Sequence, residues 1–234
     1  MKVDRVVLED LAAASRVLVD QGVFDAAGHV SIRHPGNPQR FLMSRSLAPA
    51  LVGADDIMEF SLAGEAYDAL GRSAFLERFI HGEIYRARAD VMAIAHGHAA
   101  ATIPFGLVAT PMRAMFHNAA FLAAGVPVFD IRNRFGSTDI VVGSPEKGAA
   151  LAEVLGDKSV ALLRAHGFVA VGPTLQAAVF RAIFTEVNAR VQLQATLLGG
   201  SIAALDEDEG RKADAINLAT VGRSWELWKT RVTR

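Results

Sequence analysis

The chain has 234 residues, 51% of them hydrophobic and 21% charged, a balance that supports one well-buried core and excludes a disordered chain. A formal net charge of −1 leaves no basic surface to grip a phosphate backbone, so no nucleic acid is expected as a partner. Cysteine is absent, which rules out disulfides, thiolate metal sites and a cysteine nucleophile and suits a cytoplasmic protein.

Met1-Lys2-Val3-Asp4-Arg5 is not followed by an apolar run, so no signal peptide is expected. Residues 9–23 read as a helix with Leu11, Ala12, Leu18 and Val19 on one side. Residues 30–33 and 40–43 read as strands joined by the turn His34-Pro35-Gly36-Asn37-Pro38-Gln39. Residues 57–60 and 65–67 flank Gly64 as a second hairpin. Ser73 N-caps a helix running to about residue 88, with Leu76, Ile80 and Ile84 on its apolar side. Residues 91–95, 126–130, 160–163 and 168–171 are short apolar strands. A long helix covers 174–198 and stops at Gly199-Gly200. The acidic run 206–209 reads as a solvated turn, and a last helix carries Trp225 and Trp228. Residues 91–112 carry no charge, but His96, His98, Pro104 and Pro111 interrupt them. They read as a strand, a turn and a second short element rather than a membrane span. The interleaving predicts a layered α/β/α single domain over 1–234, with a largely antiparallel central sheet and a C-terminal helical tail from about 201.

Seven histidines carry most of the chemistry. His96 and His98 end an apolar strand two residues apart, so both rings share one face and can meet one cation. A solvated strand end is the plain alternative. His166 lies between two apolar runs and needs a partner for its ring nitrogens, either a metal or a carbonyl. Glu77 and His81 are four apart on the expected helix. Glu77 is either a surface side chain or a carboxylate placed for acid/base work. His34, beside a Pro-Gly turn, is expected to be exposed.

The order Glu77-x-x-x-His81, His96-x-His98 and His166-Gly167, preceded by Gly28-His29-Val30-Ser31-Ile32-Arg33, resembles the class II aldolase/adducin family from about Leu8 to Leu198. The resemblance implies that His96, His98 and His166 hold a divalent cation. It also implies that Glu77 acts as acid/base and can join the metal shell, and that His81 is structural rather than a ligand. Homotetramers with intersubunit active sites are implied as well.

Three departures from the sugar-phosphate members stand out. Gly28-His29 replaces Gly-Asn, Arg45-Ser46 replaces Ser/Thr-Gly, and Phe75-Leu76 replaces Ser-Ser. All three are phosphate-binding elements in the family, so no phosphorylated sugar is expected. An apolar wall with an arginine fork suits a flat carboxylated ring. The sequence thus resembles the decarboxylase branch. That implies a metal-dependent carboxy-lyase for a hydroxylated aromatic or pyridine dicarboxylate of the kind met in vitamin B6 degradation, using Mn²⁺ or, alternatively, Zn²⁺. Arg45, Ser46, His29, Phe75 and Leu76 are the expected substrate contacts. His117 stands roughly where aldolases present an acid from a neighbouring subunit. The other readings are an aldolase or epimerase for a non-phosphorylated hydroxy-carbonyl compound, and a non-catalytic adducin-like module.

Overall fold

In the computed structural model, which describes residues 3–67 and 69–233, seven strands form one sheet in the order β3-β2-β1-β4-β7-β6-β5. The strands are β1 (His29–Arg33), β2 (Arg40–Ser44), β3 (Ile57–Ser61), β4 (Ala93–Gly97), β5 (Val128–Phe129), β6 (Val160–Leu163) and β7 (Gly167–Gly172). Every pairing is antiparallel except that of β5 with β6. The signal-peptide and whole-chain readings extend over Met1, Lys2, Asp68 and Arg234, which lie outside the described residues.

The period-2 alternation of each strand sends its side chains to two separate cores. Leu42, Ala93, Ala95, Val160, Leu162, Phe168 and Ala170 pack towards helices α1 (Arg5–Asp20), α5 (Leu175–Leu198) and α6 (Glu207–Val232). Phe41, Met43, Ile94, Ala161, Leu163, Val169 and Val171 pack towards α2 (Arg78–Ala87) and α4 (Pro145–Leu155). A short helix, α3 (Arg132–Phe135), follows β5. The expected α/β/α layering is therefore present. No helix among the described residues is long and apolar enough to cross a membrane.

Four local expectations are corrected. Helix α2 begins at Arg78, not near Ser73, with Glu77 at its N-cap. The Ser73 carbonyl accepts the Ser46 N–H (2.7 Å) instead of starting a helix, and Arg78 donates to the Gly64 and Phe75 carbonyls, which pins the preceding segment as a loop. Leu76 is accordingly 70% exposed rather than on an apolar helix face. The second hairpin shrinks to a single bridge between Phe60 and Ala66. The acidic run is the start of α6. Asp206 and Glu209 form a reciprocal capping box, so the run satisfies orphan helix N–H groups and favours the positive end of the helix dipole. His34 is 6% exposed, and its Nδ1 accepts the Gly36 N–H at 3.0 Å, so the turn folds over it.

The topology gathers three strand ends at one edge of the sheet. β4 runs antiparallel to both β1 and β7, so the C-terminal end of β4 lies beside the N-terminal ends of the other two. His29 pairs directly with His96.

Candidate metal centre

Glu77, His96, His98 and His166 each offer one ligand atom, and these atoms all lie within 4.8 Å of one another. Each side chain arrives by a different device. His96 is the penultimate residue of β4, and His98 follows it by two, which places both rings on the same side. His166 closes the three-residue turn between β6 and β7, where Ala165 adopts φ +56°, a left-handed conformation costly for a residue with a Cβ. Glu77 caps α2.

Gly97 and Gly167 bring the two ligand-bearing segments together. A Cβ at Gly167 would collide with the Gly97 carbonyl oxygen, so only glycine lets the backbones approach this closely. His98 and His166 then stack with ring centroids 4.8 Å apart, and His96 meets both rings edge-on. On the other side of Gly97 the ring of Phe24 fills the space. A Cβ there would lie 2.7 Å from Phe24 Cδ1.

The donor set fits a divalent cation. His96 Nδ1 lies 3.0 Å from the Phe168 carbonyl, which can only accept, so Nδ1 carries the hydrogen and Nε2 keeps a lone pair. His96 Nε2, His98 Nε2 and His166 Nδ1 are buried with no hydrogen-bond partner. Buried polar atoms are rarely left so, and at His96 and His98 a cation would satisfy them, while His166 brings its other nitrogen, Nε2, to 3.5 Å from Glu77 Oε2. Burial, with His96 and His166 adding to it, pushes His98 down to about 4 and keeps it neutral, as ligation requires.

Glu77 is aimed by the backbone. Its Oε1 accepts the Val142 N–H at 2.9 Å, while Oε2 lies 3.3 Å from His96 Nε2 and 3.5 Å from His166 Nε2. Burial alone would raise this carboxyl. With no cation between them, His96 and His166 face it with N–H groups and positive charge, which outweigh burial and hold Glu77 well below the usual carboxylate range.

Above the cluster opens a cavity of about 250 Å³. Its polar lining is His29, Ser46, Glu77 and His98, and Ala27, Phe75, Leu76 and Val141 supply apolar wall. Phe75 packs on His29 with ring centroids 4.8 Å apart. Gly28, at φ +106°, turns the chain into β1 so that His29 faces this space.

Eight of the ten residues singled out from the sequence therefore meet at one place: Glu77, His96, His98, His166, His29, Ser46, Phe75 and Leu76. The other two do not line the cavity. Arg45 is not the free fork expected of it. Its Nε bonds Asp56 Oδ1 at 2.7 Å, which occupies the side-on face used for a two-bond carboxylate grip. His117 is itself exposed, at the start of a largely buried 3₁₀ segment, and is outside the cavity within one chain. Its backbone carbonyl accepts from Asn217 of α6.

Four participants were not singled out. The Val142 N–H has no sequence signal, because any residue but proline supplies it. Val141 sits in an unremarkable apolar pair. Ser31 and Tyr85 hydrogen-bond behind His81 (2.6 and 2.8 Å), and the i, i+4 spacing of His81 and Tyr85 on α2 could have pointed to them.

Residues 9–193 match the profile of the family described as Class II Aldolase and Adducin N-terminal domain. The decarboxylase tropJ of Talaromyces stipitatus is 33% identical over 229 residues, 88% of this chain and 86% of that protein. The 3,4-dihydroxyphthalate decarboxylase of Arthrobacter keyseri is 28% identical over 244 residues, 97% and 92% of the two chains. In fold, the chain superposes on L-fuculose 1-phosphate aldolase from Glaciozyma antarctica with a TM-score of 0.80 at 24% identity, covering 97% of this chain and 88% of that one.

Proposed function

The chain belongs to the class II aldolase and adducin family, and we propose that within it this protein is a metal-dependent decarboxylase of a hydroxylated aromatic acid. The observation that carries this reading is the juxtaposition of three histidines and an aimed carboxylate, their ligand atoms within 4.8 Å of one another, with a cavity walled by Phe75, Leu76 and Val141. A polyol would leave its hydroxyls without partners against that wall, whereas a flat ring buries its faces there. Both curated relatives described above carry decarboxylase names, which supports the same choice.

His96, His98 and His166 would hold the cation, with Glu77 as a fourth donor. A divalent cation there supplies Lewis-acid stabilisation of negative charge developing on a substrate oxygen. Glu77 is ionised in the resting site, so it enters the reaction as a base. It takes the proton of a hydroxyl ortho to the leaving carboxylate. When the ring-to-carboxyl bond breaks, its electron pair stays on the ring carbon, and Glu77 returns the proton to that carbon. Carbon dioxide leaves, and the product oxygen regains a proton from water. Phe75 and Leu76 exclude water from the ring faces, and Ser46 and His29 offer hydrogen bonds to substrate oxygens.

The finer reading is a ring dicarboxylate, with 3-hydroxy-2-methylpyridine-4,5-dicarboxylate as the first candidate. Mn²⁺ is preferred over Zn²⁺, and the setting is a cytoplasmic homotetramer in which a neighbour brings His117 to the cavity. Arg45, next in sequence to Ser46, would meet a second carboxylate through its Nη edge, the face that Asp56 leaves open. The test is mass spectrometry of products from Mn²⁺-loaded protein mixed with this pyridine and, separately, with 3,4-dihydroxyphthalate. Loss of one carbon dioxide, abolished by chelator, is the expected result. Turnover of neither, with metal demonstrably bound, would reject the ring dicarboxylate reading.

A further inference from the structure

Behind the cavity runs a chain of three short hydrogen bonds. His29 Nδ1 lies 2.7 Å from His81 Nε2, His81 Nδ1 lies 2.6 Å from Ser31 Oγ, and Ser31 Oγ lies 2.8 Å from the Tyr85 hydroxyl. All four side chains are at least nine-tenths buried, and only His29 lines the cavity. Both imidazoles are at least nine-tenths buried, and none of the three links reaches a carboxylate; a buried imidazolium without a counter-ion is costly, so each imidazole carries one hydrogen. Each hydroxyl carries one more. Four hydrogens are thus shared among three links.

Three polarities satisfy every link. In one of them His81 Nδ1–H and the Tyr85 hydroxyl both donate to Ser31, and the hydrogen of the fully buried Ser31 is left with no acceptor among the described residues. In the inward one, His29 donates to His81, His81 to Ser31 and Ser31 to Tyr85. The Tyr85 hydrogen is then left over in an apolar interior beside Phe41, where among the described residues the hydroxyl has no partner but Ser31. A buried donor without an acceptor is costly. In the outward one, Tyr85 donates to Ser31, Ser31 to His81 Nδ1 and His81 Nε2–H to His29 Nδ1. The hydrogen left over is then on His29 Nε2, the one ring nitrogen free to address the cavity.

We infer that Tyr85, Ser31 and His81 lock His29 as a neutral Nε2–H donor aimed at an anionic oxygen of the ligand. This deepens the proposed function and rests on the cavity being the substrate site. It assigns His29 the job that Arg45, tied to Asp56, does not do inside the cavity. An uncharged donor orients a carboxylate or phenolate oxygen without competing electrostatically with a cation at the three histidines. It also rejects a ligand that offers only donors at that position, because two facing N–H or O–H groups leave each other unsatisfied. Ser31, His81 and Tyr85 are positioning residues that act through His29.

The direct measurement is ¹⁵N–¹H long-range correlation NMR on histidine-labelled, Zn²⁺-loaded protein, with assignment by His29→Gln and His81→Phe. The expected result is an Nε2–H tautomer for both His29 and His81, with Nδ1 unprotonated. An Nδ1–H tautomer on either, or a doubly protonated His29, overturns the inference whatever the enzyme's activity. Calorimetric binding of 2-hydroxybenzoate supplies the second arm. His29→Phe should weaken it by about tenfold or more, the scale of one hydrogen bond to a charged group, and His29→Gln, whose amide still donates, should recover much of that loss. Equal binding by wild type and His29→Phe overturns the donor role. A protein that shows the expected tautomers and binding yet releases no carbon dioxide would refute the decarboxylase reading and leave this one standing.

Discussion

At the scale of single residues, the cluster separates two jobs that substitution can distinguish. His98 has no second role, so His98→Ala should lose bound metal and activity together, read by metal analysis and carbon dioxide release. Glu77 has a geometry set from the backbone of Val142, and glutamine preserves its shape. Glu77→Gln should therefore keep most of the metal while turnover falls by about 10²–10⁴-fold, the usual worth of a general acid/base. Full activity in that variant would remove Glu77 from the proton pathway. Of the four candidate metal-centre residues, His96 and His98 were legible from period-2 spacing, whereas Glu77 and His166 joined them only through the order of motifs that resembles the family. Arg45 was not legible, because its fate depends on Asp56, eleven positions away across a turn. Nor was His34, whose burial comes from the chain folding over it and not from its own chemistry.

At the scale of elements, the sheet was legible and the helix starts were not. Apolar runs fix where strands lie, and the short connections between β1 and β2 and between β6 and β7 bring antiparallel pairing there. A helix start depends on which carbonyls and N–H groups are already engaged elsewhere. The Ser73 carbonyl is committed to Ser46, so α2 starts four residues later, and Glu77 stands at its N-cap position with its side chain turned to Val142 instead of lying along the helix. The acidic run is solvated as read, but it is not a turn: Asp206 and Glu209 are a matched capping pair at the start of α6. Asp206→Ala should lower stability by about 1 kcal/mol in urea unfolding, with metal content unchanged. A silent substitution would show that α6 is held by its packing alone, through Trp225, Trp228 and the Arg181–Asp214 pair.

At the scale of the whole molecule, buried neutral histidines make stability depend on acid. His81 is fully enclosed, and its folded pKa near 3 lies below that of the unfolded chain, about 6.5. Between those values the unfolded state binds the proton and the folded state does not, so stability falls as pH falls through this window. The slope from one such group is up to about 1.4 kcal/mol per pH unit. Glu77, held low in the fold, adds a loss of the same sign below the ordinary carboxylate range. Urea midpoints measured from pH 7 to pH 4 should decline steadily in wild type and less steeply in His81→Phe. Parallel curves would place the acid sensitivity elsewhere.

The two glycines beside the metal centre differ in what opposes a side chain, and the difference bears on how this sequence can drift. The obstacle to a Cβ at Gly167 is the Gly97 carbonyl, a backbone group that no second substitution can trim, so this position is closed to change on any genetic background. The obstacle at Gly97 is chiefly the ring of Phe24, with the Val23 carbonyl 3.2 Å off. Gly97→Ala should therefore be damaging alone and substantially repaired by Phe24→Leu, a non-additive pair that thermal melts of the four-member cycle would register. Related proteins are then free to carry alanine before the second metal histidine only where the aromatic residue preceding the cavity loop has already become smaller. The order of those two replacements along a lineage is constrained even though the chemistry touches neither.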